Sequence, residues 1–514
     1  MEAPEHLPPL PPGERGVVTF ALAMATFMQV LDTSIANVAI PAISGDLGVS
    51  PTQGTWVITS FAVSNAITVP LTGWLARRFG EVRLFTAAIV LFTIASWACG
   101  LSTSMGMLIA FRVLQGAVAG PMIPLSQTLL MKAYPQEKHG TALALWSMTT
   151  LVAPICGPIL GGWLTDAISW PWIFYINVPV GALCSWLCWT RLRHRETRTM
   201  KLPIDMVGLA LLIIGVGCLQ FLLDKGKELD WFQNNLIISL AIIAAVALVA
   251  LVLWELSEKH PVIDLTLFAR RNFSAATISL SLGYMVFFGS VVLLPLWLQT
   301  QVGYTATWAG LAAAPTGILA VVLSPWVGKN IRKWDPRILA TLAFLIFAMT
   351  SFWRSQLNTG APFIDIALPQ FVQGAAMAMF FIPLITVALA GLPPDRIASA
   401  SGLSNFVRIL AGSFGASLST TLWERRAALH HSQLTEQVTA LSAQSGSALQ
   451  NLQGLGLPTP QGLALLERTI SIEASTLGAL DIFWMCGWIL LALIPLVWLT
   501  TRPKGAPSGP VAVE

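Results

Sequence analysis

The sequence predicts an all-α polytopic membrane protein of fourteen transmembrane helices, built as two six-helix bundles related by a pseudo-twofold axis, with two extra helices between them. Three observations predict it. The 514 residues are 55% apolar and 11% charged, with a mean hydropathy of +0.70, whereas soluble chains carry about 25% charged residues. Long apolar runs bounded by charges or turn residues recur fourteen times. The first half of the chain also lies over the second at one offset.

The runs fall near 17–41, 54–76, 84–102, 105–131, 141–165, 172–190, 205–223, 235–256, 273–301, 305–328, 338–354, 362–391, 397–424 and 480–500. The first is too long for a signal-peptide core and no small-residue cleavage site follows it, so it reads as a retained span. Of the 29 Lys+Arg, 21 fall in the tails and loops on the N-terminal side, 6 in the opposite loops, and two, Arg112 and Arg408, within spans. "TRLRHRETRTMK" (190–201) alone supplies five of the 21. The positive-inside rule therefore puts both termini in the cytoplasm. The expected organisation is a cytoplasmic tail (1–16), an N-terminal bundle (17–190), basic linkers with the two extra helices (191–272), a C-terminal bundle (273–500, with an outer loop at 425–479) and a second tail (501–514). All six cysteines lie in apolar runs, which argues against a disulfide framework or a metal site. The net charge of +4 is too small to suggest a nucleic-acid partner.

The internal repeat appears at an offset of 255 residues. Gly48, Thr52, Pro70, Gly73, Arg77, Arg78 and Leu84 meet Gly303, Thr307, Pro325, Gly328, Arg332, Lys333 and Leu339. Further on, "VLQGA" (113–117) is echoed by "FVQGA" (371–375). An offset holding an even number of spans gives a parallel repeat, and two such halves rocking about a midplane site are a common design of secondary transporters.

Several motifs together resemble the major facilitator superfamily over almost the whole chain. "GWLARRFGEVRLF" (73–85) resembles its gating loop between helices 2 and 3, with Gly73, Arg77, Gly80 and Glu81. "FRVLQGAVAG" (111–120), with Gln115 and Gly116, resembles its helix 4 motif. "APICGPILGG" (153–162), with Pro154, Gly157, Pro158, Gly161 and Gly162, resembles the helix 5 antiporter motif. "LDTSIANVAIP" (31–41) is similar to the helix 1 motif of the fourteen-span drug:proton antiporters, and "WIFYINVPVG" (172–181) and "SGLSNFVRILAGSFG" (401–415) extend the likeness to the EmrB-type multidrug exporters. The loop departs from the pattern. Arginine stands at 77 where aspartate is usual and glutamate at 81 where arginine is usual, so an Arg77–Glu81 contact is expected with its signs exchanged.

Asp32 sits about nine residues from the outer end of its span, roughly 13 Å deep at about 1.5 Å per residue. A carboxylate there costs roughly 2.5–3.5 kcal/mol on insertion scales. Arg112 lies at similar depth on the fourth span and is its expected partner. The pair reads either as a proton switch or as a static ion pair that fixes helix packing. Gly157, Gly161 and Gly162 have the spacing for close helix approach and Pro154 and Pro158 bend the span. That reads as tight packing or as a seal between the halves.

A drug site needs an apolar, aromatic cavity with a few polar groups. The helices that line the cavity in this family carry Asn37, Gln127, Tyr284, Phe287, Phe288, Gln299, Met377 and Arg408; Arg408 has no obvious acidic partner. Trp163, Trp172, Trp297 and Trp423 read as interfacial anchors, and His430-His431 as a solvated pair. With no GxxxxGK[ST] or GxGxxG, ATP is not the expected energy source. No cofactor is expected beyond the proton gradient.

The resemblance implies a proton-driven exporter of amphipathic drug-like molecules in the bacterial inner membrane, in contact with lipid. It also implies a periplasmic adaptor of the EmrA type leading to an outer-membrane channel. Export of a single metabolite or siderophore is the alternative. Proton symport conflicts with "APICGPILGG", and a membrane-embedded enzyme would need a catalytic constellation that the spans do not contain. In the 425–479 loop, Leu434, Val438 and Leu441 suit a short amphipathic helix, with Leu449, Leu452, Leu463, Leu465 and Leu466 beyond. "GLGLPTPQG" divides the loop into two arms, which either dock the adaptor or pack on each other.

Overall fold

A computed structural model describes residues 9–501 apart from 50, 201–202, 204, 260, 332, 394–395, 439–446 and 448–457. Arg332 of the repeat and Leu441, Leu449 and Leu452 of the loop lie outside the described residues. The described chain is helical, with no strand.

Helix α1 (Pro12–Asp46) starts on a proline, whose missing N–H would be unpaired there in any case. The next span is α2 (Pro51–Gly54), α3 (Trp56–Thr68) and α4 (Thr72–Phe79); α3 and α4 meet at 63° around Pro70. Gly80, at φ 90, makes the sharp turn into α5 (Glu81–Gly100). The fourth span is broken at Gly120-Pro121 into α6 (Met105–Ala119) and α7 (Met122–Ala133). Helix α8 (His139–Ala167) bends by 44° between its Pro154 and Ile159 ends, and α9 (Trp172–Tyr175) leads into α10 (Asn177–Leu192). Helices α11 (Met206–Lys225) and α12 (Asn235–Ser257) are the two extra spans. The second half runs through α13 (Arg271–Trp297), α14 (Ala306–Ala313), α15 (Pro315–Asn330), α16 (Pro336–Arg354), α17 (Phe363–Leu389), α18 (Ile397–Gln437), α19 (Thr459–Ala492) and α20 (Ile494–Trp498).

Every one of the fourteen predicted runs falls on helix. By length and apolarity, 11 helices among the described residues can cross a membrane, or 13 if each bent pair is one span. The run at 397–424 is not among them. Its helix, α18, carries Ser399, Ser401, Ser404 and Asn405, all buried against neighbouring helices, which lowers its apolarity without exposing polar groups to lipid.

The repeat is visible in the packing. In the first half α1 packs on α8 and α10, α3 on α6, and α5 on α10; in the second, α13 packs on α18 and α19, α15 on α17, and α16 on α19. Gly116 lets α6 lie against Ser64 and Phe61 of α3, and its counterpart Gly374 lets α17 lie against Thr316 and Ala320 of α15. Gly48 and Gly303, paired by the offset, both adopt left-handed backbone, with φ 64 and 83. Between the halves, Gly140 of α8 meets Gly328 of α15 backbone to backbone, and Gly73 of α4 meets Ser399 of α18. Helix α11 packs on α12, on α3 and on α18.

The region 425–479 differs from the expected loop. Helices α18 and α19 continue far beyond the predicted span ends, to Gln437 and from Thr459. The arms pack on each other. Trp423 donates to the Ser475 carbonyl (2.6 Å), and Gly478 sits against the backbone of Trp423 and Ala427. The histidine pair is not free in solvent: His430 meets Asp481 and His431 meets Glu467, each at 2.8 Å. Trp163 and Trp172 are exposed as anchors would be, but Trp297 and Trp423 are core residues; Trp297 donates to Thr476 at 3.2 Å.

Candidate functional site

Asp32 and Arg112 meet in a buried cluster formed by five elements. Asp32 is 1% exposed and Arg112 0%. Arg112 Nη1 donates to Asp32 Oδ2 at 2.6 Å. Asp32 Oδ1 accepts from Gln115 Nε2 at 3.1 Å and from Asn177 Nδ2 at 2.8 Å. Arg112 Nη1 also donates to Gln115 Oε1 (2.7 Å), and its Nε to the Val57 carbonyl (2.9 Å). The guanidinium lies 4.3 Å from the Phe61 ring centre and 5.6 Å from that of Phe174. Gly116 makes this possible, because the close approach of α6 to α3 brings Phe61 and Val57 onto the arginine. A buried ion pair is tolerable only when the remaining polar atoms are also bonded. Here Arg112 Nη2 alone of the pair's atoms stays buried without a partner. Asn177, at the start of α10 inside "WIFYINVPVG", is a member of the cluster that the sequence reading did not single out. An asparagine in an apolar span was the signal for it.

The gating loop departs from expectation. Glu81 does not meet Arg77; it pairs with Lys132 of α7 at 2.7 Å. Arg77 Nε is buried without a partner, and its carbonyl accepts from the Met200 amide at 2.8 Å. Besides Glu81 itself, a second carboxylate reaches the N-terminus of α5 from the basic linker. Glu196 accepts from the amides of Val82 (3.1 Å) and Arg83 (2.8 Å), where an anion complements the free N–H groups of a helix start. The Glu196 carboxylate also takes up the space beside Gly80 that a Cβ would occupy.

The glycines of "GPILGG" do not face the other half, as a seal between halves requires. Gly157 packs against Ser34 and Gly161 against Ile35, both on α1, with no room for a Cβ at either glycine. Ser34 donates to the Pro154 carbonyl, which proline geometry leaves without its usual helix donor at 158 (2.9 Å). Pro154 is exposed and Gly162 has open space around it; the side chain of Pro158 lies outside the described residues. A close contact between halves on α8 is made about four turns earlier, by Gly140, and α8 also packs on α14, α15 and α17 of the second half.

Arg408 anchors a second cluster that joins the halves. Its Nη2 donates to Asn405 Oδ1 at 2.7 Å. Asn405 Nδ2 donates in turn to Gln127 Oε1 of α7 (3.0 Å), which also accepts from the Ser401 hydroxyl. The guanidinium lies 4.9 Å from the Tyr284 ring and 6.0 Å from Phe381. Tyr284 stacks on Phe288 at 5.4 Å, and Phe287 lies 6.1 Å away and packs on Phe347. Gly412 leaves room for the Tyr284 ring. Of the remaining cavity candidates, Met377 is buried in the core, while Asn37 and Gln299 are exposed and stand apart. Beside Gln127, Asn405 and Arg408 the free space is about 10 Å³, room for a single water. Drug-sized ligands need several hundred Å³, so one can enter only when α7 and α18 part. A roomier hollow of about 580 Å³ lies on the apolar outer surface between α16 and α19, lined by Leu345, Met349, Phe352, Trp353 and Leu491. It lacks any charged group and opens where lipid would lie, so the small polar cavity is the informative one.

Two pseudo-symmetric helix bundles of membrane-spanning length, a buried charge pair and a small polar cavity between the halves define a multi-pass membrane transporter rather than an enzyme. The sequence matches the Major Facilitator Superfamily over residues 22–416, and the chain belongs to that superfamily, in its EmrB-type branch. It is 53% identical over 502 residues to the multidrug export protein EmrB of Escherichia coli K12, covering 98% of both chains. It is 51% identical over 502 residues to the fatty acid resistance protein FarB of Neisseria gonorrhoeae, covering 98% of this chain and 99% of FarB. In fold it is similar to the proton:xylose symporter XylE, with a TM-score of 0.59 at 15% identity over 95% of each chain.

Proposed function

We propose that this chain is a proton-driven exporter of amphipathic, drug-like molecules in the bacterial inner membrane, with both termini in the cytoplasm. The observation that carries the reading is the buried Asp32–Arg112 cluster. Asp32 accepts three hydrogen bonds there, from Arg112, Gln115 and Asn177. A proton reaching Asp32 cancels the charge that holds Arg112 Nη1, which loosens α1 from α6 and changes which arrangement of the halves is favoured. The proton gradient is the energy source. Names of relatives such as EmrB and EmrY support the drug substrate, and the charge count of the loops supports the orientation.

A second reading has its own observation. Arg408 is a cation with one hydrogen bond, held among Tyr284, Phe288 and Phe381. Such a site suits an amphipathic acid, in keeping with the name of FarB. Export through a periplasmic adaptor to an outer-membrane channel is part of the proposal, with the outer ends of α18 and α19 as the docking arms. Leu429, Val438, Leu463 and Leu465 are exposed there.

The test is transport in vesicles with an imposed pH gradient, over a panel of amphipathic acids, cations and neutral dyes. Wild-type protein concentrates a subset of the panel. Asp32→Asn keeps binding and loses uphill transport, because asparagine has the same shape and cannot titrate. Uphill transport by Asp32→Asn overturns the reading.

A further inference from the structure

We propose that Asn177 is a positioning residue for the proton step, holding Asp32 in both protonation states by turning its side-chain amide. The inference rests on the reading of Asp32 as the proton-binding group. Its ground is an asymmetry among the three donors. Arg112 can only donate, so it cannot accept the O–H of a protonated Asp32. Gln115 can donate or accept, but its Oε1 already accepts from Arg112 Nη1 at 2.7 Å, which fixes its amide in one orientation.

Asn177 differs from both. Its Nδ2 donates to Asp32 Oδ1 (2.8 Å) and to Ser96 Oγ (3.0 Å), and the Ser96 hydroxyl donates to the Phe174 carbonyl (2.9 Å). A half-turn of the amide exchanges its oxygen and nitrogen. The oxygen then accepts from a protonated Asp32 Oδ1, and the Ser96 hydroxyl can turn from the Phe174 carbonyl to donate to it as well. Oδ2 faces Arg112, so Oδ1 is the oxygen that takes the proton. The exchange needs no water, in keeping with the burial of Asp32 and Asn177, each 1% exposed.

Few other titratable groups are near. Arg112 comes from α6, and α5 brings the Cys99 thiol, 3.7 Å from Gln115 Oε1. Helix α3 contributes the Val57 carbonyl and the Phe61 ring, and α9 the Phe174 ring. Lys132 of α7 is taken up by Glu81. Between Gly140 and Thr165, α8 carries Cys156 as its single titratable residue.

The experiment is an infrared pH titration of the detergent-purified full chain without substrate, following the band of a protonated carboxyl group. Asp32→Asn identifies the band that belongs to Asp32. Asn177→Leu removes a donor from the ionised form and an acceptor from the protonated form. The bond to the charged form is the stronger, so the midpoint should rise by about one pH unit, a tenfold gain in proton affinity. Asn177→Asp, nearly the same shape, places a second carboxyl beside the first and should also raise it. It decides the matter if the leucine variant does not fold. Wild-type midpoints in the folded variants overturn the role of Asn177 and leave the coupling reading standing. A wild-type protein with no titrating Asp32 band overturns the coupling reading and this inference with it.

Discussion

The two halves of the chain share their helix packing and differ in what they place at the centre. At the offset that aligns Gly48 with Gly303, Asp32 falls on Phe287; where "VLQGA" aligns with "FVQGA", Arg112 falls on Gln370. The first half therefore buries an ion pair where the second buries an aromatic side chain and an amide. The second half has its own cation, Arg408, with one hydrogen bond against the three made by Arg112, and it lies over rings beside the space between the halves. A duplicated scaffold has kept the glycines that set helix approach and changed the residues that carry charge. This suits a division of work in which the first half binds the proton and the second meets the substrate.

The largest expected effect breaks the charged half. Arg112→Ala leaves the Asp32 carboxylate buried without its cation, a loss of about 3–5 kcal/mol when one partner of a buried pair is removed. Folded yield and melting temperature should fall sharply. Adding Asp32→Asn to Arg112→Ala should restore most of that loss, and a double variant as unstable as the single one would show that Arg112 acts through packing alone. The equivalent change in the second half, Gln370→Ala, touches one long 3.4 Å contact with Thr316 and should cost far less.

A smaller effect separates contacts within a half from contacts between halves. Gly157→Leu drives a side chain into Ser34 of α1, within the first half, and Gly140→Leu drives one into the Gly328 backbone of the second. The first should lower stability; the second should leave each bundle folded and hold the halves apart at that end. Cysteine labelling near Gly73 and Ser399, which meet at another contact between the halves, reads the difference. Equal labelling in the two variants would show that both glycines serve the same contact.

Much of this was legible in the sequence, for physical reasons that differ by region. Apolar runs of bilayer length announce helices, because unpaired backbone in lipid leaves the chain little choice. Asp32 and Arg112 were legible because two opposite charges at one depth have to meet. The sign exchange at 77 and 81 was visible, but the pairing was not. Glu81 took Lys132, fifty-one positions away, and Glu196 reached the start of α5 from the linker, neither of which spacing predicts. "GPILGG" announced close packing without saying which helix is approached. The extent of α18 and α19 was hidden because their outer arms are polar, and polarity marks the edge of lipid rather than the end of a helix.

A further test sharpens the reading of the second half. Arg408→Gln removes a charge-assisted bond, which is worth about 1.5–3 kcal/mol when its partner is ionised. Affinity for an amphipathic acid should fall tenfold or more, while affinity for an amphipathic cation stays within about twofold. The Asp32 titration should not move, since Arg408 is bonded through Asn405 to Gln127 and not to the first cluster. Equal losses for acids and cations would make Arg408 a structural link between α18 and α7.

The smallest effect is expected at the outer arms, where the charges are exposed. His431 and Glu467 lie 2.8 Å apart, with side chains 35% and 58% exposed, so solvent screens the pair. The hydrogen bond from His431 holds the Glu467 carboxyl below its ordinary value. A carboxyl lowered in the folded state adds stability above its ordinary value and loses it as pH falls through the lowered one. The arms should thus open somewhat more readily in acid, as hydrogen exchange confined to residues 425–437 and 459–475. His431→Ala should produce the same opening at neutral pH with no change in melting temperature. His430 bonds Asp481 nearer the bundle, and Trp423 and Gly478 close the base of the arms, so His431→Ala should leave exchange at Asp481 unchanged. Faster exchange that spreads past Asp481 into the bundle would mean that the arms and the bundle open as one unit.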